Sequence, residues 1–83
     1  MQEKKYVGKV THYFPKISVA VVELVDDLKL GDRIKIEGAT TNFEQEVTSM
    51  EIEKQKIEHA KAGQSIGLKV IARVRENDKV YVL

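Results

Sequence analysis

The stretch that decides the fold is residues 60–70, which read Ala-Lys-Ala-Gly-Gln-Ser-Ile-Gly-Leu-Lys-Val. Three apolar residues in it recur at every second position, which is the period of a half-buried β-strand: Ile66, Leu68 and Val70. Gly63 precedes this strand, and Gly67 lies inside it on the opposite face, where a missing side chain permits a bend or a close backbone approach. The stretch therefore predicts a turn that delivers a sharply curved strand. It indicates a fold and no reaction.

Length and composition limit what surrounds this strand. A chain of 83 residues is too short for two hydrophobic cores, so we expect one β-barrel domain over residues 1–83. Lys+Arg 14 against Asp+Glu 13 gives a net charge of +1, so a nucleic-acid site would have to be a local patch. The lack of cysteine excludes disulfides and thiolate sites. The longest apolar run, residues 19–22, is far short of the ~18 residues of a transmembrane helix, and we expect a cytoplasmic protein.

Alternating apolar residues predict short strands elsewhere in the chain. The first such strand is interrupted at Tyr13-Phe14-Pro15-Lys16, because proline lacks the ladder donor, so this segment is predicted to be a hairpin tip or a crossover. Residues 17–24 form the strongest strand and are apolar on both faces. Further extended segments are expected after the Gly31-Asp32 turn and around the turn at residues 76–78, at residues 33–37, 71–75 and 79–83.

Residues 43–62 admit two interpretations. A helix would place three apolar residues on one face and end at Gly63 as a C-terminal cap: Val47, Met50 and Ile57. A strand followed by a loop would need a bulge near Thr48 and Ser49 to keep the apolar residues in register. The strand is favoured because charged residues narrow the helical apolar stripe: Glu51, Lys54 and Glu58.

Six short strands separated by polar turns predict an all-β fold, a small closed six-stranded barrel. A barrel of this strand number is filled by its own side chains. An internal ligand cavity is therefore not expected, and a functional site should lie on the outer wall or on the loops.

Four stretches, in this order, resemble landmarks of the second domain of translational GTPases, the family that includes elongation factor Tu and bacterial initiation factor two: Val7-Gly8-Lys9-Val10, Leu30-Gly31-Asp32-Arg33-Ile34, Val47-Thr48-Ser49-Met50-Glu51 and residues 60–68. The most specific parts are the Leu-Gly-Asp turn and the Ala-x-Ala-Gly-x-x-Ile-Gly block. The chain looks like the small stand-alone proteins labelled translation elongation factor-like. It is similar also to the accessory barrel at the end of collagenase-like peptidases, which has its own Gly-Asp turn.

This resemblance implies a Greek-key barrel of the translational-GTPase domain 2 type that contacts ribosomal RNA or tRNA. It places Lys9 at a basic position of the first strand, and Glu51 and Ser65 near a pocket-forming strand and loop. The chain departs from the GTPases because it has no Gly-x-x-x-x-Gly-Lys-Ser/Thr loop, so we expect no bound nucleotide and no GTP hydrolysis. Asn77-Asp78 replaces the family's closing Gly-Asp pair, and asparagine tolerates the left-handed backbone that such a turn needs.

Catalytic motifs are weak in this sequence. His12 and His59 are the only histidines, and neither lies in a spaced ligand motif. The neighbouring carboxylates at residues 26–27 point apart on an extended chain. Ser49 and Ser65 have no Gly-x-Ser-x-Gly motif around them. We therefore expect no enzyme activity, no cofactor and no metal.

Binding features are clearer. Tyr13, Phe14 and Lys16 place two aromatic rings and a cation at one tip, suited to stacking a base or anchoring a protein, unless an aromatic ring merely caps the barrel. Arg73 and Arg75 share one face of an extended chain, and Lys69 joins them if the strand is unbroken, although a merely solvated face gives the same pattern. The candidate RNA- or partner-binding residues are Lys9, Tyr13, Phe14, Lys16, Arg73 and Arg75.

Two functional hypotheses follow. The first is a non-catalytic binding module associated with RNA or the ribosome, which the family resemblance favours. The alternative is a protein-interaction or accessory module for a peptidase-like or translation partner, which the near-neutral charge favours. Neither hypothesis involves a membrane.

Overall fold

Ten β-strands and no helix make up residues 4–83, the part of the chain that a computed structural model describes. In chain order the strands are β1 (Lys5–Phe14), β2 (Val19–Leu24), β3 (Leu28–Lys29), β4 (Arg33–Glu37), β5 (Asn42–Glu46), β6 (Met50–Ile52), β7 (Gln55–Ile57), β8 (His59–Ala60), β9 (Ser65–Lys69) and β10 (Lys79–Val82). The all-β prediction is therefore confirmed. The assignment of residues 1–83 to one domain stays a prediction.

Eight strands form one curled sheet in the order β5-β4-β10-β1-β2-β9-β6-β7, and β3 pairs with β8 in a separate two-stranded sheet. Each of these pairings is antiparallel. Within residues 4–83 no ladder joins the edge strands β5 and β7, so the prediction of a closed six-stranded barrel is wrong. The curled sheet is instead a half-barrel of eight strands, two more than the six predicted.

The sheet has more strands than predicted because residues 43–62 form several short strands. Glu53 and Lys54 both have positive φ, at 50° and 65°, which is the backbone of the tight turns that join antiparallel strands with a strong twist. This turn reverses the chain and makes β7 a new edge strand beside β6. The strand interpretation of this region is confirmed and the helix is excluded, and Thr48 and Ser49 lie in the irregular break between β5 and β6.

Strand β1 carries two register shifts, one between Tyr6 and Gly8 and one between Val10 and His12. Bulges of this kind reset which side chains face inward. Val7 and Val10, an odd number of residues apart, are consequently both buried. The period-two pattern of the sequence puts Val10 on one face of the first strand, with Tyr6, Gly8 and His12, and Val7 on the other, with Lys9 and Thr11; this prediction is wrong because of the bulges.

Strand β2 begins two residues later than the apolar pattern indicates. Ser18 has a φ of 55°, in the left-handed region, and ends the turn over residues 15–18. Ile17 therefore lies in the turn and is 56% exposed, although the sequence pattern predicted it inside a two-faced strand. At the other end of the fold, Asn77 has a φ of 75°, so asparagine does supply the left-handed turn residue.

The core lies inside the curl of the sheet and is formed by sixteen buried apolar side chains: Val7, Val10, Ala20, Val22, Leu24, Leu28, Ile34, Ile36, Val47, Met50, Ala60, Ile66, Leu68, Val70, Val74 and Val80. Strand β9, which contains Ile66, Gly67 and Leu68, lies between β2 and β6. Gly63 has a φ of 90° in the turn before it. A Cβ at Gly67 would lie 3.3 Å from Val19 Cγ1, so the expected close approach is present there.

Between β5 and β9 a side chain takes the place of a ladder. Gln45 is buried, and its Nε2 donates to the Lys69 carbonyl at 2.8 Å while its Oε1 accepts from the Ile71 amide at 2.8 Å. The amide side chain thus offers one donor and one acceptor, as a backbone peptide would. We call these two bonds the Gln45 clamp. In residues 4–83 there is no helix long and apolar enough to cross a membrane, and a cytoplasmic location stays a prediction.

Candidate functional site

The two ends of the β1–β2 hairpin have different surfaces. The end we call the tip end comprises residues 12–18, at the close of β1 and in the turn, together with residues 70–76. The Val70 amide donates to the Ser18 carbonyl at 2.9 Å, and the Asn77 amide donates to the Val10 carbonyl at 2.7 Å. These bonds hold the two segments side by side.

Large apolar side chains are exposed at the tip end. Phe14 is 44% exposed, Ile17 56% and Ile71 74%. Phe14, Pro15 and Ile17 line one shallow hollow, together with the stem of Lys16. Ile71 follows directly after the residue that bonds to Ser18, so it lies at this same end. We call Phe14, Pro15, Ile17 and Ile71 the apolar patch.

A second hollow, of about 510 Å³, brings together several of the predicted site residues. It is lined by His12, Tyr13, Pro15, Arg73, Val74, Arg75 and Glu76. Tyr13 packs partly against the core, whereas Arg73 and Arg75 are exposed in the irregular segment after β9. Five of the six predicted site residues, all except Lys9, therefore line one of the two hollows at the tip end.

Lys9 and Lys69 do not join this group as the sequence predicted. Lys9 lies further back on β1, opposite Glu23 of β2 and Lys79 of β10. Strand β9 ends at Lys69, and the Lys69 Nζ donates to the Ile17 carbonyl at 2.8 Å. The predicted basic stripe of Lys69, Arg73 and Arg75 on one unbroken strand is therefore wrong, and Lys69 instead holds the turn that presents Ile17.

The tip end is basic although the whole chain is nearly neutral. Its residues 12–18 and 70–76 contain three cations, Lys16, Arg73 and Arg75, and one carboxylate, Glu76, and Lys69 directly precedes the second segment. The Glu76 Oε2 lies 3.9 Å from the His12 Nδ1. Sequence reasoning found the aromatic and basic residues here but missed Ile17 and Ile71. The available signal was that Ile17 directly follows the predicted tip, two residues after Pro15, where a turn longer by two residues leaves an isoleucine outside the core.

The histidines are not arranged as a catalytic or metal centre. His59 Nε2 lies 3.6 Å from Asp27 Oδ2, and His12 Nδ1 lies 3.9 Å from Glu76 Oε2, with all four side chains largely exposed. The His12 ring also packs edge-on against the Phe14 ring, with the centroids 4.5 Å apart. No group of three or more His, Cys, Asp or Glu side chains that would hold a metal occurs in residues 4–83. A small apolar-floored cleft of about 270 Å³ lies elsewhere, where β6 and β7 diverge, lined by Leu30, Thr48, Ser49, Met50, Lys56, Ile57 and Glu58.

Three groups in exposed ion pairs on the wall of the sheet have shifted pKa values: Lys4, Asp26 and Glu37. The hydrogen bond from Lys4 holds the pKa of Glu37 below its ordinary value and, reciprocally, raises the pKa of Lys4. The hydrogen bond from Lys5, at 3.0 Å, likewise lowers the pKa of Asp26. These pairs are far from the tip end along β1, so they contribute to the fold and not to the candidate site.

Comparison with known proteins relates the chain to peptidases. It is 46% identical over 78 residues, 93% of its length, to an uncharacterized protease of Methanocaldococcus jannaschii, of which it covers 19%. It is 40% identical over 82 residues to a collagenase of Porphyromonas gingivalis, of which it covers 23%. The chain thus spans about a fifth of the length of these relatives. No protein-family model matches it.

Two crystal structures of the C-terminal domain of a putative U32 peptidase from Geobacillus thermoleovorans share the fold. One superposes with a TM-score of 0.89 at 21% identity, covering 95% of this chain and 92% of that domain. The other, a selenomethionine variant, gives a TM-score of 0.86 at 22% identity, with coverage of 92% and 96%. At this level of identity the likeness shows the fold alone.

These findings correct the resemblance to translation factors. The matched proteins are named as a protease and collagenases, and the matched structures as a peptidase domain, so the translation-factor prediction and the RNA binding drawn from it are wrong. The physical reason is that the Leu-Gly-Asp turn and the Ala-x-Ala-Gly-x-x-Ile-Gly block encode turns and a curved strand of a small β-fold. Such motifs report a fold and not the site that a fold carries. The similarity to the accessory domain of collagenase-like peptidases is the one that the comparisons support.

Proposed function

We propose that this chain is the accessory, non-catalytic binding domain of a U32-type peptidase, acting as part of the peptidase polypeptide or in complex with it. The observation that carries this proposal is the 46% identity along 93% of the chain to one fifth of a protease. A small domain matched along nearly its whole length, beside a much larger remainder, is typical of an accessory module.

The surface of the domain supports a binding role. Exposed large apolar side chains clustered at one end of a small protein are typical of interaction sites. The apolar patch and the adjoining cations at the tip end provide such a surface. No RNA or ribosome contact is needed to account for it.

We also propose that the domain has no peptidase activity of its own. Peptide hydrolysis needs an activated nucleophile or a bound metal with a positioned base. Each histidine is paired with one exposed carboxylate, and neither of the hollows that a histidine lines contains a serine. The chemistry is expected to reside in the other four fifths of such a peptidase.

A domain replacement tests the proposal. The 82-residue segment of the Porphyromonas gingivalis collagenase that matches this chain would be deleted, or replaced by this chain, and hydrolysis of collagen measured. We expect the deletion to lower the rate and the replacement to restore most of it, whereas this chain alone releases no peptides. An unrelated β-domain of similar size serves as the control replacement. A folded chimera that is no more active than the deletion would contradict the proposal.

A further inference from the structure

The apolar patch at the tip end is exposed on a backbone that specific hydrogen bonds hold in place. Lys69 Nζ fixes the Ile17 carbonyl, the Val70 amide fixes Ser18, and the Gln45 clamp fixes the Ile71 amide. A rigid apolar surface loses little conformational entropy when a partner covers it. The patch is therefore preorganised for contact.

We propose that the tip end docks onto the remainder of the peptidase through an apolar recess rimmed by carboxylates. This inference rests on the function proposed above and adds the surface and the chemistry of its partner. Ile17 and Ile71 act as the buried anchors, and Lys16 and Arg73 lie at the rim.

Charge selects this partner. The two tip segments, residues 12–18 and 70–76, hold three cations and one carboxylate, so the rest of the chain carries eleven cations against twelve carboxylates. An isologous dimer would press the same patch of two copies together and place the cations against one another. An apolar recess rimmed by carboxylates, on a different protein surface, complements both the apolar patch and its cations. The charge pairs would fix the orientation of the two surfaces as well as add affinity.

The length of the relatives indicates which partner the tip end contacts. About four fifths of each matched protease or collagenase lies outside the segment that corresponds to this chain. That remainder is always present beside the domain in those polypeptides. It is therefore the surface against which an accessory domain of this family would be held.

Hydrogen exchange on the intact chimera locates the contact. The amides of the exposed residues 16, 17, 72 and 73 donate to no other residue in the described part of the chain, so they should exchange rapidly in the isolated protein. In the chimera described above we expect these amides to be protected, with no change at the Glu53-Lys54 turn. Equal exchange at the tip end in both proteins would overturn the proposal.

Matched variants of this chain, added as a separate protein to the collagenase deletion protein, test the anchors. We expect Ile17→Ser with Ile71→Ser to lower affinity for the collagenase deletion protein, measured in trans by calorimetry, by about 30-fold or more. Val25→Ser with Leu30→Ser changes two exposed apolar residues outside the patch and should leave affinity unchanged. Circular dichroism melts confirm that each variant is folded. If the collagenase deletion protein does not fold, the hydrogen-exchange experiment on the intact chimera still tests the contact.

The rim has its own pair of variants. Lys16→Glu with Arg73→Glu should weaken binding several-fold at low salt, whereas Lys61→Glu with Lys79→Glu makes the same charge change elsewhere and should not. If wild-type chain neither binds nor restores activity, the proposed function fails. If it does both and the tip variants match the wild type, only the docking surface is overturned. The docking surface is also overturned if the wild-type chain binds anionic vesicles or tRNA as tightly as it binds the collagenase deletion protein. It is overturned too if the wild-type chain forms concentration-dependent dimers that Ile17→Ser abolishes.

Discussion

The tip end and the opposite end of the β1–β2 hairpin use their residues in contrasting ways. At the opposite end, which we call the turn end, polar groups satisfy one another: Lys29 donates from both its amide and its Nζ to Asp32, and Gln64 accepts from Lys61 and Leu24. Val25 and Leu30 are also exposed at the turn end, where Asp26, Asp27 and Asp32 lie within two residues of them in sequence. At the tip end the bonds position the exposed Ile17 and Ile71, and cations lie beside them. The contrast is that bonds at the turn end satisfy polar groups of the fold, whereas bonds at the tip end present an apolar surface beside cations.

The largest expected effect is on the turn-end half of β1. A Cβ at Gly8 would lie 2.6 Å from the Glu23 carbonyl oxygen, which is backbone and unable to move aside. We expect Gly8→Ala to lower the free energy of unfolding by about 3 kcal/mol, measured by urea denaturation. Gly67→Ala is the matched control, because its Cβ would lie 3.3 Å from a valine methyl group and at an ordinary contact distance of 3.8 Å from the Glu51 carbonyl oxygen. Equal losses in the two variants would contradict the packing argument.

The second effect tests how the tip end is held. Gln45→Ala leaves the Ile71 amide and the Lys69 carbonyl without their partner, and we expect a loss of about 2 kcal/mol in the free energy of unfolding. Gln55→Ala removes an exposed glutamine from β7 and should change stability by less than about 0.5 kcal/mol. A Gln45→Ala protein as stable as the control would show that the clamp is not what closes the gap between β5 and β9.

A smaller effect is expected at a turn-end glycine. Gly63 has a φ of 90° and its amide donates to the Leu24 carbonyl at 2.8 Å. Gly63→Ala should cost about 1 kcal/mol because an L side chain is strained there, and Gly63→Asn should cost less. Thermal melts of the three proteins compare them directly. Alanine tolerated as well as asparagine would argue against backbone strain at this position.

Acid should weaken the wall of the sheet slightly. The folded-state pKa values of Glu37 and Asp26 are lowered by their lysine partners, so their stabilising effect is complete above the ordinary carboxyl pKa and is lost as the pH falls through the folded value. We expect a small fall in Tm between about pH 5 and pH 3. Glu37→Gln with Asp26→Asn should flatten this part of the profile. An unchanged profile would mean that these exposed pairs contribute nothing.

The smallest effect on stability is expected for the apolar patch, whose substitution should have the largest effect on binding. Ile17→Ser and Ile71→Ser change side chains that are mostly in solvent, so each should shift the free energy of unfolding by less than about 0.5 kcal/mol. Urea denaturation checks this against Leu28→Ala, a buried turn-end residue that should cost about 3 kcal/mol. A large loss on Ile17→Ser would mean that the tip end serves the fold after all, and the contrast would disappear.

The sequence predicted some of the site and misplaced the rest for identifiable reasons. Tyr13, Phe14 and Lys16 were found because proline marks a tip whatever surrounds it. Ile71 was assigned to a strand, and only the end of pairing at Lys69 reveals that it is exposed. Lys69 was expected in a basic stripe, yet its Nζ bonds a carbonyl 52 residues away in sequence. Such long-range partners leave no local pattern.

The sequence by itself determined the all-β class and the positions of the turns at Gly31, Gly63 and Asn77. Those features depend on alternation of apolar residues and on which residue tolerates positive φ, and both are local properties. Only the tertiary structure decided that the sheet stays open between β5 and β7, that bulges bring Val7 and Val10 inward together, and that Ile17 is exposed. These outcomes depend on which strands become neighbours and in what register, and that is fixed by packing of the whole chain around one core.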